Sequence, residues 1–227
     1  MKTLIIIPAF NEEANIVWVV NRLVSTCPDK DYIVVNDGSR DATAELCRQN
    51  GFHLLDLPTN LGLAGAFQAG LRYAQEYGYD CAIQFDADGQ HLPEYIAKLE
   101  EKMAQGSDVV IASRFYEKKK PKTLRMLGSS LIQLSMQLTV HQKLTDPTSG
   151  MRAYNAKMID KLARGNNLGP EPDTLAWLIR GGAKIEEIQA EMHERIAGES
   201  YLNLSVSIRY MIRIGMSILL FQWFRPL

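Results

Sequence analysis

The sequence has little excess charge of either sign. Its 227 residues include 25 Lys and Arg against 26 Asp and Glu, a formal net charge of −1. This balance excludes a protein that binds nucleic acid through bulk positive charge. Charged residues make up 22% of the chain and apolar residues 46%, which is typical of a globular domain and not of a disordered chain.

Cysteine is also scarce. The three cysteines, Cys27, Cys47 and Cys81, are widely spaced and form no C-x-x-C pair. Such spacing excludes a disulfide framework and a cysteine-based zinc site, and it suits a reducing compartment. We expect the cysteines to be small residues of the core.

No apolar run is long enough for an ordinary membrane-spanning helix. The N-terminal run stops at Pro8 and lacks the features of a signal peptide. The longest apolar stretch, residues 205–224, is interrupted by Arg209 and Arg213. We therefore expect one domain over residues 1–204 and, over 205–227, an amphipathic helix that lies on a membrane surface or contacts a second copy of the chain.

Short β-branched segments alternate with helical ones, which indicates an α/β fold with a mostly parallel, Rossmann-like sheet and flanking helices. The predicted strands are residues 3–7, 32–36, 53–57, 81–85, 109–112, 151–154 and 184–192. The predicted helices are residues 12–25, 41–50, 63–77, 93–105, 123–141, 156–164 and 174–180. Gly51, Gly78 and Gly106 follow three of these helices and suit left-handed helix ends.

The strand ends carry acidic residues instead of phosphate-binding glycine loops. Neither a dinucleotide fingerprint nor a Walker loop is present. The strongest motif is DADGQH after the fourth strand, where Asp86, Asp88 and Gln90 offer hard oxygen ligands. These ligands suit Mg²⁺ or Mn²⁺ with positions left open for a diphosphate.

Six motifs in consistent order resemble glycosyltransferase family 2, which has the GT-A fold. They are PAFNEE, NDGSRD, NLGLAGAFQAG, FDADGQH, the Ser-Arg pair at 113–114, and TDPTSGMRAY. The HERIAGES segment further resembles the branch of dolichyl- and polyprenyl-phosphate sugar synthases. The resemblance implies a GT-A domain over residues 1–204 and metal-dependent, inverting transfer from a nucleoside diphosphate sugar, with uridine as the expected base.

The resemblance also implies roles for particular residues. Nucleotide-binding positions are Pro8, Phe10, Asn11, Glu12, Asp37, Gly65, Asp86 and Ala87. Metal ligands are Asp86, Asp88 and Gln90. Acceptor and phosphate contacts are Arg114, Arg125, Ser129, Arg152 and Arg195, and the catalytic set is Asp88, Arg114, Asp146 and Asp173.

Two acceptors fit these residues. A polyprenyl phosphate is already an anion and needs cations that position it, which the arginines offer. A sugar hydroxyl on a lipid-linked saccharide needs a base, which Asp173 in GPEPD offers. Tyr201 stands in GESY where phosphate-acceptor relatives commonly have Lys, and this missing cation counts against the phosphate. The arginines still make polyprenyl phosphate the expected acceptor, with the lipid-linked saccharide as the alternative.

The remaining features concern location. Lys118, Lys119, Lys120 and Lys122 form the only basic run, and its place before the acceptor arginines favours contact with anionic lipid or substrate. We expect an enzyme at the cytoplasmic face of the membrane that contributes to cell-surface glycan synthesis. A nucleotide-sugar-binding regulator of a membrane partner is the non-enzymatic alternative.

Overall fold

The computed structural model describes residues 1–121, 124–165, 168–193 and 204–220, without the side chains of 124, 125, 127 and 204–208. The strands are β1 Thr3–Ala9, β2 Asp31–Asn36, β3 Leu54–Asp56, β4 Cys81–Gln84, β5 Val109–Ser113, β6 Arg152–Asn155 and β7 Ile185–Gln189. The helices are α1 Ile16–Thr26, α2 Thr43–Gln49, α3 Gly62–Glu76, α4 Ile96–Ala104, α5 Leu124–Val140, α6 Ala156–Arg164, α7 Pro172–Arg180 and α8 Leu204–Leu219. A short 3-10 turn, Pro93–Tyr95, leads into α4.

The strands form one sheet in the order β3-β2-β1-β4-β6-β5-β7. All neighbours pair in parallel except β6, which runs antiparallel to both β4 and β5. The predicted mostly parallel α/β sheet is confirmed. Because β6 runs against the others, the loop before it reaches the same edge as the carboxyl ends of the parallel strands.

Both faces of the sheet are covered, so the molecule has three layers. In β1, Leu4 and Ile6 face one apolar cluster while Ile5 and Ile7 face the other, as the two-residue period of a strand requires. Helices α1, α2 and α4 contribute to one cluster. Helices α3 and α5–α8 contribute to the other.

The C-terminal helix belongs to this core. Ile214 and Ile218 of α8 are buried in the same cluster as residues of α5 and α7, and α8 packs against both of those helices. The expected division at residue 204 therefore falls at the start of a helix that completes the core of the first domain. Within the described ranges, no helix has the length and apolarity needed to cross a bilayer.

The predicted helix ends and the predicted burial of the cysteines can also be compared with the structure. Gly51, Gly78 and Gly106 have φ of 67°, 64° and 92°, so the predicted left-handed ends of three helices are confirmed. Cys47 and Cys81 are buried and Cys27 is half-buried, all as free thiols. Burial raises the pKa of the Cys81 thiol to about 12, as expected for an unreactive core residue.

Candidate active site

The loops that follow β1 and β2 are joined by side-chain hydrogen bonds at the carboxyl edge of the sheet. Asn11 has a positive φ of 55°. Its backbone N–H donates to Ser39 Oγ over 2.9 Å, and its Oδ1 accepts from the backbone N–H of Arg40 over 2.9 Å. A short polar side chain suits this left-handed position. Asn11 thus joins the two loops expected to surround the nucleoside.

Glu12 and Pro8, two other residues expected near the nucleoside, are buried. The Glu12 backbone N–H donates to Thr43 Oγ1 over 2.8 Å, and its carboxylate accepts from Asn15 Nδ2 over 2.7 Å. Phe10 between them is half-buried. In this arrangement Glu12 holds the start of the loop against α1 and α2.

Asp37 lies directly after β2 and is buried. Burial raises the pKa of its carboxyl, while the backbone N–H groups of Leu61 and Gly62 oppose the rise. The Leu61 N–H donates to Asp37 Oδ1 over 2.7 Å. Asp37 therefore couples the end of β2 to the start of α3, where Gly65 occupies the first turn.

Asp86 follows β4 and is held from three sides. Its backbone N–H donates to Nδ1 of the buried His91 over 2.9 Å, and its Oδ1 accepts from Gln84 Nε2 over 3.0 Å. A Cβ on Gly150 would lie 2.6 Å from Asp86 Oδ2, so a larger residue there would displace the carboxylate. The His91 ring also packs edge-on against Phe85. Since Nδ1 accepts, His91 carries its proton on Nε2, 3.5 Å from Asp86 Oδ2.

The other two residues of the expected metal set lie in the same turn. Asp88 Oδ1 accepts from the Gln90 backbone N–H over 3.0 Å, and Gly89 between them has φ of 79°. Gln90 Nε2 donates to the His193 carbonyl over 3.3 Å. Ala87 is buried beneath the turn.

This donor set can be tested against the chemistry of a metal. No group of three or more His, Cys, Asp and Glu side chains is placed to hold a metal ion in the described part of the chain. The expected set has only two carboxylates, with an amide as the third donor. All three are oxygen donors, which fits Mg²⁺ or Mn²⁺ with positions left for diphosphate and water.

Arg114, directly after β5, forms a two-point ion pair with Asp146. Its Nε donates to Oδ2 over 2.7 Å and its Nη2 to Oδ1 over 2.9 Å. The carboxylate is fully buried. Burial alone lowers the pKa of the Arg114 guanidinium, but the hydrogen bonds and charge of Asp146 outweigh burial and raise that pKa.

The loop that carries Asp146 is held by a second buried carboxylate. Glu187 of β7 accepts from the backbone N–H groups of Thr145 and Asp146 over 2.7 and 2.9 Å. Nothing in the sequence motifs pointed to Glu187. The sequence held one weak indication of Glu187, because the alternation of the strand places it on the same face as the buried Ile185.

Arg152 differs from its expected role. The side chain is buried, with Nε donating to the Ser149 carbonyl over 2.8 Å and Nη2 to the Pro147 carbonyl over 2.7 Å. These bonds shape the loop between Asp146 and β6. We therefore revise the expectation of an acceptor contact, because the guanidinium is committed to backbone carbonyls inside the protein.

A cavity of about 380 Å³ connects these groups. Its lining includes an acidic wall, formed by Asp86, Gln90 and His91, and a cationic wall, formed by Arg114 and Ser129. The remaining lining is largely apolar and comes partly from α5 and α8, including Met126, Ile132 and Met211. An anionic group and an apolar group can therefore occupy one continuous space.

Asp173 also differs from its expected role. It is buried in the first turn of α7, and its Oδ2 accepts from Ser217 Oγ of α8 over 2.6 Å. In this segment the carboxylate that lines the cavity is Glu171, which accepts from the Tyr210 hydroxyl. Both pairs join α7 to α8, so we revise Asp173 from a base to a residue that positions α8.

The side chains of two residues expected to contact the acceptor are not among those that the structure describes. Arg125 falls in the first turn of α5, but its side chain is not among the described atoms. Arg195 lies outside the described residues, as do Tyr201 and the aromatic residues beyond 220. Their expected roles stay predictions.

The sheet, its acidic carboxyl edge and the cavity beside it define an enzyme of the GT-A glycosyltransferase class. Residues 4–163 match Glycosyl transferase family 2. The chain belongs to this family and is a glycosyltransferase, which confirms the family inferred from the motifs.

Two relatives are similar over nearly the whole chain. An undecaprenyl-phosphate mannosyltransferase of Micrococcus luteus is 34% identical over 215 residues, covering 89% of this chain and 88% of the relative. A polyprenol monophosphomannose synthase of Mycolicibacterium smegmatis is 29% identical over 233 residues, covering 94% and 86%. The resemblance to the polyprenyl-phosphate branch is thereby confirmed.

Among solved structures, glucosyl-3-phosphoglycerate synthase of Mycobacterium tuberculosis has a similar fold. Its complex with Mn²⁺, uridine diphosphate and phosphoglyceric acid has a TM-score of 0.68 and 19% identity, covering 96% of this chain and 78% of that one. At this identity the likeness establishes the fold. The GT-A architecture expected from the motifs is confirmed.

Proposed function

We propose that the protein transfers a sugar from a nucleoside diphosphate sugar to a polyprenyl phosphate at a membrane surface. The observation that carries the proposal is the shared cavity. Its lining combines the acidic wall, with Asp86 and Gln90, the cationic wall, with Arg114 and Ser129, and apolar residues of α5 and α8. The acidic wall suits a donor that arrives with a cation, and the other walls suit an anionic lipid.

The reaction balances without a proton transfer. An oxygen of the acceptor phosphate attacks the anomeric carbon and forms a new carbon–oxygen bond. The bond from that carbon to the diphosphate breaks, and the nucleoside diphosphate leaves with the electron pair. Attack opposite to the leaving group inverts the anomeric configuration. Such a reaction needs positioning of two anions more than it needs a general base.

Asp86, Asp88 and Gln90 are the residues that would hold Mg²⁺ or Mn²⁺. A bound divalent cation would supply Lewis-acid stabilisation of the charge on the diphosphate. The remaining contributions come from the chain itself. His91 and Gln84 hold Asp86 in place, and Gly150 leaves room for its carboxylate.

The phosphate acceptor is preferred over a sugar hydroxyl for two reasons. Asp173, the candidate base, is buried and bonded to Ser217. One relative described above is named an undecaprenyl-phosphate mannosyltransferase and the other a polyprenol monophosphomannose synthase. The same names make mannose one candidate sugar, while uridine stays our proposal for the base.

Two exposed apolar stripes support an approach from a lipid surface. Leu131, Leu134 and Leu138 lie exposed along α5. Ile212, Met216, Leu219 and Leu220 lie exposed along α8 and just past its end. Helices α5 and α8 pack together, and Arg209 and Arg213 of α8 are exposed. Apolar stripes beside cations suit the interface of an anionic bilayer.

A transfer assay tests the proposal. Purified protein is incubated with Mn²⁺, farnesyl phosphate and a panel of radiolabelled sugars carried on uridine or guanosine diphosphate. We expect a chloroform-soluble, alkali-stable labelled product with at least one donor. Farnesol, which lacks the phosphate, serves as the matched control and should give none. Product formed only on saccharide acceptors would overturn the lipid assignment.

A further inference from the structure

Lys120 occupies an unusual environment for a lysine of a basic run. Its neighbour Lys118 makes an exposed ion pair with Glu191 over 2.7 Å. Lys120 instead turns inward and donates to Ser129 Oγ over 3.1 Å and to Gln133 Oε1 over 3.2 Å. Both oxygens are uncharged. Among the residues that the structure describes, no carboxylate forms an ion pair with Lys120.

The two arginines near Lys120 already have partners within the protein. Arg114 is matched by the buried Asp146 carboxylate, so this pair has no net charge. Arg152 is committed to two backbone carbonyls. Lys120 makes no ion pair with a described carboxylate, and the buried Glu187, which accepts from two backbone N–H groups, attracts its charge only at longer range. Lys120 lies beside Ser129, which itself lines the cavity.

The Lys120 ammonium is partly desolvated by its surroundings. Burial lowers the pKa of the ammonium, Asp146 and Glu187 oppose the lowering, and Arg114 adds to it. The ammonium also lies 5.4 Å from the centre of the Phe115 ring, whose other cationic neighbour is Arg114 at 5.3 Å. A partly desolvated cation with neutral partners gains strongly from an anion.

We propose that Lys120 binds the phosphate of the acceptor together with Ser129. The inference rests on the proposed function and extends it, because it assigns a phosphate contact to a residue outside the family motifs.

The test compares Lys120→Met, Lys120→Arg and, as the control, Lys157→Met, which alters an exposed lysine of α6. Farnesyl phosphate is titrated calorimetrically into each protein, with farnesol as the uncharged probe, and KM and kcat are then measured with the donor found for the unaltered enzyme. We expect Lys120→Met to weaken farnesyl phosphate binding and raise its KM by about 10- to 100-fold, the typical effect of one charge-assisted hydrogen bond. Lys157→Met should bind farnesyl phosphate as the unaltered protein does, and Lys120→Arg should keep most of that binding. Farnesol should bind equally to all four proteins.

The dependence of acceptor affinity on pH, measured on the alkaline side, supplies a second test. Because the pKa of Lys120 is lowered, its charge is lost at a lower pH than that of an ordinary lysine. Acceptor affinity should then fall with rising pH earlier in the unaltered protein than in Lys120→Arg. The charged groups around it, Arg114, Asp146 and Glu187, are the same in both.

Three results would overturn the inference. The first is equal acceptor affinity in Lys120→Met and Lys157→Met. The second is a fall in kcat of Lys120→Met without a change in KM or binding. The third is a folded Lys120→Arg that is as impaired as Lys120→Met. Failure of the proposed function looks different. In that case the unaltered enzyme itself transfers no sugar to farnesyl phosphate and binds it no better than farnesol.

Discussion

Arg114 and Asp146 are 32 positions apart in sequence and meet in a two-point ion pair of 2.7 and 2.9 Å, with the carboxylate fully buried. The pair joins the end of β5 to the loop that precedes β6. It therefore fixes the distance between two motifs that border the cavity.

Asp146→Asn should lower both stability and activity, because it leaves the Arg114 charge facing a neutral amide. Breaking a buried pair typically costs about 3–5 kcal/mol, and we expect about 2–3 kcal/mol here since the Arg114 side chain is 27% exposed and an amide keeps some hydrogen bonding. Chemical denaturation of Asp146→Asn, Arg114→Gln and the double variant measures the coupling. Additive losses would contradict a direct interaction.

Asp88→Asn should abolish transfer while the protein stays folded. The amide oxygen can still accept from the Gln90 N–H, but one of the two carboxylates expected to hold Mg²⁺ or Mn²⁺ is lost. We expect at least a 100-fold fall in kcat and loss of the Mn²⁺-dependent thermal shift by nucleoside diphosphates.

Asp29→Asn is the matched control for Asp88→Asn. Asp29 is exposed and precedes β2, at the opposite edge of the sheet from the site. Near-normal turnover in Asp88→Asn would mean that the metal is held elsewhere.

His91→Ala should loosen Asp86. The substitution removes the acceptor of the Asp86 backbone N–H and leaves a void beneath the strand end, so we expect a loss of about 2 kcal/mol or more in stability. Donor KM should rise as well. His91→Asn restores an acceptor near the position of Nδ1 and should recover part of both losses. Equal defects in the two variants would indicate that ring packing on Phe85, and not the hydrogen bond, matters.

Asp173→Asn distinguishes a phosphate acceptor from a sugar-hydroxyl acceptor that needs a base. If Asp173 only positions α8, the amide still accepts from Ser217 and transfer to farnesyl phosphate should stay within about 3-fold of normal. Asp173→Ala removes the acceptor and should destabilise the protein by about 1–3 kcal/mol. A folded Asp173→Asn without any transfer would instead support a catalytic base.

The exposed stripe on α5 should matter for lipid binding. Replacing Leu131, Leu134 and Leu138 together with Gln should reduce co-sedimentation with vesicles of phosphatidylglycerol and phosphatidylcholine at least 10-fold, because apolar area no longer enters the interface. Val24→Gln, which alters an exposed apolar residue of α1 on the other side of the sheet, should not. If the triple variant instead turns a dimer into a monomer in sedimentation velocity, the stripe is a contact between copies.

Much of the acidic wall was predictable from sequence because its residues are local. Asp86, Asp88 and Gln90 lie within five positions after a strand, and Gly89 permits the turn that brings them together. Helix ends marked by Gly78 or Gly106 were likewise predicted within a residue or two.

The acceptor wall was predicted less well because its contacts are between distant segments. Arg152 and Asp173 have the residue types of a phosphate contact and a base, but both are buried, Arg152 on carbonyls of its own loop and Asp173 on Ser217 of α8. Burial of a charged side chain depends on what packs over it, and motif spacing carries no information about that. Lys120 was recognised only as part of a basic run, since its inward turn depends on Ser129 and Gln133 of α5.

The amino-acid order alone thus established the alternation of strands and helices, the acids at the strand ends and the family. Those properties follow from periodicity and from turns a few residues long. The packing of the chain added the antiparallel direction of β6, which brings Asp146 and Gly150 to the edge where Arg114 and Asp86 lie. It also placed α8 on α5, so that one cavity has an acidic wall, a cationic wall and an apolar lining. These relationships join residues tens of positions apart, and only the closure of one shared core sets the distances between them.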